Sequence, residues 1–104
     1  MSDTELTVSH PMVLSVRVEE LDFNGLVRAI TTEAERACRE LLGQAIRALE
    51  RRAMARQPGR WVNRGQPVRH VWVAWGRTAI RRTRVLYRHT GKTYHLGDHL
   101  LRWR

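Results

Sequence analysis

Residues 12–18 read Met-Val-Leu-Ser-Val-Arg-Val, with Leu14, Val16 and Val18 on one parity and Ser15 and Arg17 on the other. That period of two predicts a half-buried strand. Near Asn24 the period changes. Val27, Ile30, Ala34, Cys38, Leu41, Leu42, Ala45, Ile46, Leu49 and Ala53 recur at steps of three and four. The spacing predicts one long amphipathic helix to Arg56, capped by Asp22 or Asn24. Arg28, Glu35, Arg36, Arg39, Glu40, Arg47 and Glu50 fall on its expected solvent face. Such a helix is about 45–50 Å long, more than a globule of this size needs. Ile30, Ala34, Cys38, Leu41, Leu42, Ala45 and Leu49 are therefore a candidate interface for a second copy or a larger assembly. The alternative is that this stripe packs only on the chain's own sheet.

Gln57-Pro58-Gly59 stops the helix, and Asn63 to Pro67 is rich in turn formers. Three extended runs follow: Val68–Trp75, Arg77–Arg88 and Thr93–Leu96, with Gly91 in the loop before the last. Gly97-Asp98 then opens a terminal helical turn. Within Arg77–Arg88 neither parity is purely polar. A bulge near Arg81-Arg82 would turn Ile80, Thr83, Val85 and Tyr87 inward and Arg82, Arg84 and Arg88 outward. Most of the tryptophans are expected in the core, because so small a sheet has few other large residues to bury. The fold class expected is α+β: an N-terminal strand, one long amphipathic helix, then a basic three-stranded antiparallel meander. The organisation expected is a flexible N-terminus (1–11), a strand and helix that can serve as a dimerisation arm (12–57), and the meander (58–104).

Charge divides the chain more sharply than pattern does. Residues 1–50 hold nine acids against five bases, a net of −4, whereas residues 51–104 hold fourteen bases against one acid, Asp98, a net of +13. Such a stretch repels itself unless an anionic surface covers it, and nucleic acid is the commonest such cover. A competing reading is a merely solvated basic face. The preference for Arg over Lys (Lys92 is the single lysine) fits a GC-rich coding sequence, but it does not explain the scarcity of acids after residue 50. Hydrophobic residues make up 42%, too many for a disordered chain. No apolar run approaches a membrane span, and the start Met1-Ser2-Asp3-Thr4-Glu5 has no secretory character. The expectation is a soluble cytoplasmic protein, nucleoid-associated if it binds DNA, with no membrane partner.

Several chemistries fail on spacing. Gly91-Lys92-Thr93 carries the last letters of a phosphate-binding loop, but Leu86 stands where that loop needs its first glycine, and no helix follows. His95 and His99 are four apart with Gly97 between them and no third ligand nearby, a poor metal set. Cys38 lies on the apolar stripe, where a thiol acts as a small core residue. One acid in the basic half offers no carboxylate pair. No catalytic residue, metal, cofactor or small-molecule substrate is expected, and the chain is not read as an enzyme. What stands out is arginine interleaved with aromatics. The candidate nucleic-acid contacts are Arg60, Arg64, Arg69, Arg77, Arg81, Arg82, Arg84, Arg88 and Lys92. Trp61, Trp72, Trp75, Tyr87 and Tyr94 lie among them.

Val71 to Arg88, followed by Gly91-Lys92-Thr93-Tyr94-His95-Leu96-Gly97-Asp98-His99-Leu100-Leu101, resembles the N-terminal region of bacterial insertion-sequence DDE transposases. That group shows a strand ending at Gly, a basic strand ending near Tyr, a Gly-containing turn, and an aromatic–Leu–Asp–x–x–Leu ending, all after a long helix. The likeness spans roughly residues 20–104. Gly97 departs from it, standing where the family commonly has a second Leu. The family's nuclease domain, with its metal-binding acids, follows this region and has no counterpart among these residues. The resemblance thus implies a DNA-binding module without transposase chemistry of its own. The alternative is a protein-interaction subunit of a larger ribonucleoprotein or enzyme assembly, docked through its long helix.

Overall fold

In the computed structural model, which describes residues 5–102, the chain is α+β. A long helix α1 (Phe23–Arg56) is followed by β1 (Trp61–Asn63), β2 (Val68–Val73), β3 (Gly76–Arg81), β4 (Arg84–Tyr87), β5 (Thr93–His95) and a short helix α2 (Leu96–Leu101). The Asp22 carboxylate caps α1, accepting from the Gly25 N–H at 2.7 Å. At 1.5 Å per residue α1 is about 50 Å long. The molecule measures 62 × 32 × 19 Å, with a radius of gyration of 18.0 Å where a compact domain of this length has about 13 Å.

All strand pairs are antiparallel and form two sheets, β1-β4-β5 and the β2-β3 hairpin. The expected run Arg77–Arg88 is therefore two strands, one in each sheet, and β1 is a strand that the turn-rich composition around it concealed. The division lies at Arg82-Thr83. Arg64 donates to the Arg84 carbonyl, Arg84 to that of Gly65, and Arg82 to that of Pro67. Three residues (Gly65, Gln66, Pro67) thus span the gap opposite two (Arg82, Thr83). The extra residue changes register by one and reverses side-chain parity along the second strand. Ile80, Thr83 and Val85 all turn inward and are buried, as expected, but the extra residue lies in the opposite segment Gly65–Pro67 and not at Arg81-Arg82, where a bulge was expected. The two-residue turn Ala74-Trp75 closes the hairpin. Gly76 follows it at φ +102°, a conformation that side chains rarely adopt.

Residues 12–18, expected as a strand, pair with nothing. They lack a partner because the segment lies along α1 instead of beside the sheet. Arg52 donates to the Glu5 carbonyl, the His10 ring lies between Arg36 and Gln44, and Val13, Leu14 and Ser15 line a shallow groove with Arg28, Ala29 and Thr32. The expectation of a flexible terminus falls partly on residues 1–4, outside the described residues; residues 5–10 take these positions on α1.

The core is small: Ala37, Ile46, Ile80, Val85 and Leu96. At its centre is Glu50, 2% exposed, which the helical pattern had placed on the solvent face. It is buried because its carboxylate answers backbone donors from two other elements. Oε2 accepts from the Thr83 N–H at 2.8 Å and the Gly97 N–H at 3.2 Å, and Oε1 accepts from the Thr83 hydroxyl at 3.1 Å. His95 stands at the N-cap of α2 without capping it, so Glu50 supplies from α1 the acceptor that α2 lacks locally. Gly97 is what lets α2 come this close. A Cβ there would lie 3.0 Å from Ile46 Cγ2 and 3.2 Å from Glu50 Oε2.

Removing the carboxylate leaves two buried N–H groups without acceptors. Glu50→Ala is expected to cost about 2–4 kcal/mol in denaturant unfolding. Glu50→Gln keeps one oxygen for the amides and turns its NH₂ to the Thr83 hydroxyl, which can accept, so its loss should be about half of that or less. Equal losses in the two variants would show that charge, not hydrogen bonding, holds the junction. Gly97→Val should lower stability by more than 1 kcal/mol, read in the same assay, because α2 must lift off α1.

Candidate nucleic-acid interface

Cross-strand neighbours point to the same face of a sheet. In β1-β4-β5 the buried Val85 defines the inner face, which it shares with Trp61, Asn63, Tyr87 and Tyr94. The opposite face carries Val62, Arg84, Leu86, Thr93 and His95. Just past β1, the Arg64 N–H donates to the Arg84 carbonyl, which places Arg64 next to Arg84, and Arg84 pairs with His95 across β4 and β5. Arg88 follows two residues beyond Leu86 and is exposed. In the hairpin the buried Ile80 and Thr78 define the inner face, with Arg69, Val71 and Val73. The outer face holds Val68, His70, Trp72, Arg77, Ala79 and Arg81, and every one of them is exposed.

The charges of these residues are treated unequally by the fold. Asp98, the one acid of the basic half, is 2.7 Å from Arg82 Nη1 and 3.7 Å from Arg69 Nη1. Arg82, expected outward, is thus drawn partly inside by the first turn of α2, and Arg69 stands on the inner face of the hairpin. Arg60 donates to the Gln57 side chain and lies over the Tyr87 ring, 5.4 Å from its centre. Of the first-half acids, Glu33 pairs with Arg36 on its own helix, and Glu50 is occupied by backbone amides. Arg64, Arg77, Arg81, Arg84, Arg88 and Lys92 remain exposed, and among the described residues no carboxylate pairs with them. Lys92 sits in the β4–β5 loop, beyond both outer faces.

No family model, curated protein or solved structure matches the chain.

The expected helix interface is distributed along α1. Ile30 is exposed, whereas Ala34, Cys38, Leu41, Leu42, Ala45 and Leu49 are half-buried. Toward the start of the helix Phe23, Val27 and Ile30 all face solvent, Phe23 at 79%. The tryptophans also differ from expectation. Trp61 is half-buried against Tyr87, with ring centres 4.9 Å apart, but Trp75 is on the surface and Trp72 is 80% exposed. The core is built across α1, α2 and the inner strand faces, and the outer hairpin face has nothing to bury against. Period-two alternation in Val68–Val73 already put Trp72 with His70 and opposite Val71; the missing signal was which parity faced the helix. Among the described residues, no three His, Cys, Asp or Glu side chains gather as metal ligands would, and no helix is long and apolar enough to cross a membrane.

His95 reports the local field. Burial lowers its pKa from the usual imidazole value, as do the charges of Arg82, Arg84 and Arg69, with Asp98 acting the other way. The unfolded imidazole takes up its proton near pH 6.5, the folded one only at lower pH. Stability is therefore expected to fall as pH drops from about 7 through the lowered value, because the unfolded chain binds more protons there. His95→Gln should flatten that part of the curve in unfolding measurements at pH 7, 6 and 5. Parallel curves for the two proteins would remove His95 as the cause.

Proposed function

We propose that the protein is a non-enzymatic nucleic-acid-binding module, with DNA favoured over RNA. The observation that carries this reading is the uncompensated charge of Arg64, Arg77, Arg81, Arg84, Arg88 and Lys92. Asp98 is spent on Arg82 and Arg69, Glu33 on Arg36, and Glu50 on backbone amides. Arg64, just past the end of β1, and Arg84 on β4 are like charges joined by a backbone hydrogen bond, an arrangement that is unfavourable in the free protein and is relieved when phosphates lie against it. Arginine suits this role because its planar fork can grip two phosphate oxygens at once. The preference for DNA rests on the resemblance of the basic strands and their Tyr-turn-aromatic ending to transposase N-terminal regions. Gly97, the departure from that pattern, is the position at which a side chain would collide with Ile46 and Glu50.

A second reading has its own observation. Phe23, Val27 and Ile30 leave an apolar strip open at the end of α1 away from the sheets, which suits a protein-interaction subunit docked through its helix or a homodimer.

Binding to a duplex oligonucleotide separates the two. With about six phosphate contacts, the observed affinity should fall with salt at a log–log slope of about −5. Arg64→Glu with Arg84→Glu should weaken binding and reduce the slope by about 2. Val27→Glu with Ile30→Glu should leave both unchanged while abolishing any self-association seen by sedimentation. A salt-insensitive affinity, or loss of binding in the helix variant with full binding in the arginine variant, would reject the nucleic-acid reading in favour of the second.

A further inference from the structure

The outer face of the β2-β3 hairpin combines features that do not suit solvent alone. Trp72 is 80% exposed, and it is the largest side chain on a face shared with His70, Arg77 and Arg81. Its cross-strand neighbour is Arg77, and the next pair along the ladder is His70 with Ala79. Side chains paired in this way stand about 4.5–5.5 Å apart at Cβ, so Arg77 is beside the indole. Ala79 is too small to cover the ring, and no large apolar residue of the face is paired with it. The strand that carries the ring is anchored at its end. The Ala74-Trp75 turn, two residues on, is tied to α1 by a hydrogen bond from Arg39 to the Trp75 carbonyl, and Gly76 at positive φ fixes the turn.

The face therefore presents a flat, bare aromatic surface between cationic groups. An apolar protein surface would suit the indole but would bury Arg77 and Arg81 unpaired, at a cost of several kcal/mol for each ion. The rigid phosphate surface of a duplex would suit the arginines and leave the indole in water, since paired bases are stacked on one another. Unpaired nucleobases joined by phosphates satisfy both at once: a base stacks on the ring while its flanking phosphates meet the guanidinium groups.

We propose that this hairpin face binds single-stranded nucleic acid, with Trp72 as the stacking platform for an unpaired base and Arg77 and Arg81 as contacts to the adjoining phosphates. The inference rests on the nucleic-acid reading given above and adds to it the form of the ligand. Each base stacked on an aromatic ring typically contributes enough that alanine substitution weakens binding roughly 5- to 100-fold. Stacking is indifferent to base identity, so the site has little sequence preference.

The test uses the full chain and three probes: an oligothymidylate of about fifteen nucleotides, a strand of the same length with abasic sugars, and a duplex. The wild-type protein should bind the oligothymidylate roughly 5- to 100-fold more tightly than the abasic strand. Trp72→Ala should abolish that difference while leaving the melting temperature and the salt slope unchanged, because the side chain is on the surface. Trp72→Phe should retain most of it. If the abasic strand and the duplex bind as tightly as the oligothymidylate, and Trp72→Ala changes nothing, the stacking site is rejected and the phosphate-binding reading survives. If none of the three probes binds, both are rejected.

Discussion

The structure depends on one buried carboxylate. Glu50 links three segments: the C-terminal half of α1, the junction between the two sheets at Thr83, and the start of α2 at Gly97. Burying a carboxylate costs several kcal/mol, and here three hydrogen bonds and the positive end of a short helix offset that cost. The apolar core alone is too small to specify how these parts meet. Ile46, Val85 and Leu96 supply attraction without direction, whereas the bonds from Thr83 and Gly97 admit one geometry. The same contact fixes the junction between the sheets, and that junction sets which faces of both are turned to solvent.

The distribution of charge follows from that geometry. With α2 docked on α1, Asp98 is brought beside Arg82 and Arg69, so the one acid of the basic half neutralises the arginines nearest the core. The surface arginines gain nothing from it. A fold that paired Asp98 with Arg84 instead would have an unpaired guanidinium near its interior and a less cationic outer face. The observed choice lowers the cost of burial and leaves the positive charge on the surface.

Much of this was legible in the sequence. The period of α1, its Asp22 cap, its stop at Gln57-Pro58-Gly59, and the inward turn of Ile80, Thr83 and Val85 all come from local pattern and turn chemistry. What pattern could not carry was the pairing of distant segments. Residues 12–18 alternate like a strand, yet alternation alone supplies no partner strand, and here the segment runs beside α1 with Met12, Val13, Leu14 and Val18 exposed. Trp61-Val62-Asn63 is too short to announce itself as a strand between two turn-rich stretches. Glu50 looks like a surface charge because its partners are backbone amides 33 and 47 residues away, which have no side-chain signature. Trp72 looked like core because large aromatics usually are, and only the register with β3 shows that its parity faces solvent.

The elongated shape bears on how such a protein engages a partner. The strands, the buried junction and the exposed cations lie around the C-terminal part of α1, while its start carries Phe23, Val27 and Ile30 into solvent. Polyanion binding and helix docking would thus use separate surfaces and need not compete. A charged face of this size gains affinity steeply with each added phosphate contact, so a single copy can hold a polyanion while the apolar end of α1 stays free for another partner. On that argument the two readings of the molecule differ in which surface acts first, and the rigid Glu50 junction is what keeps the cationic faces in a fixed relation to the helix that would carry them.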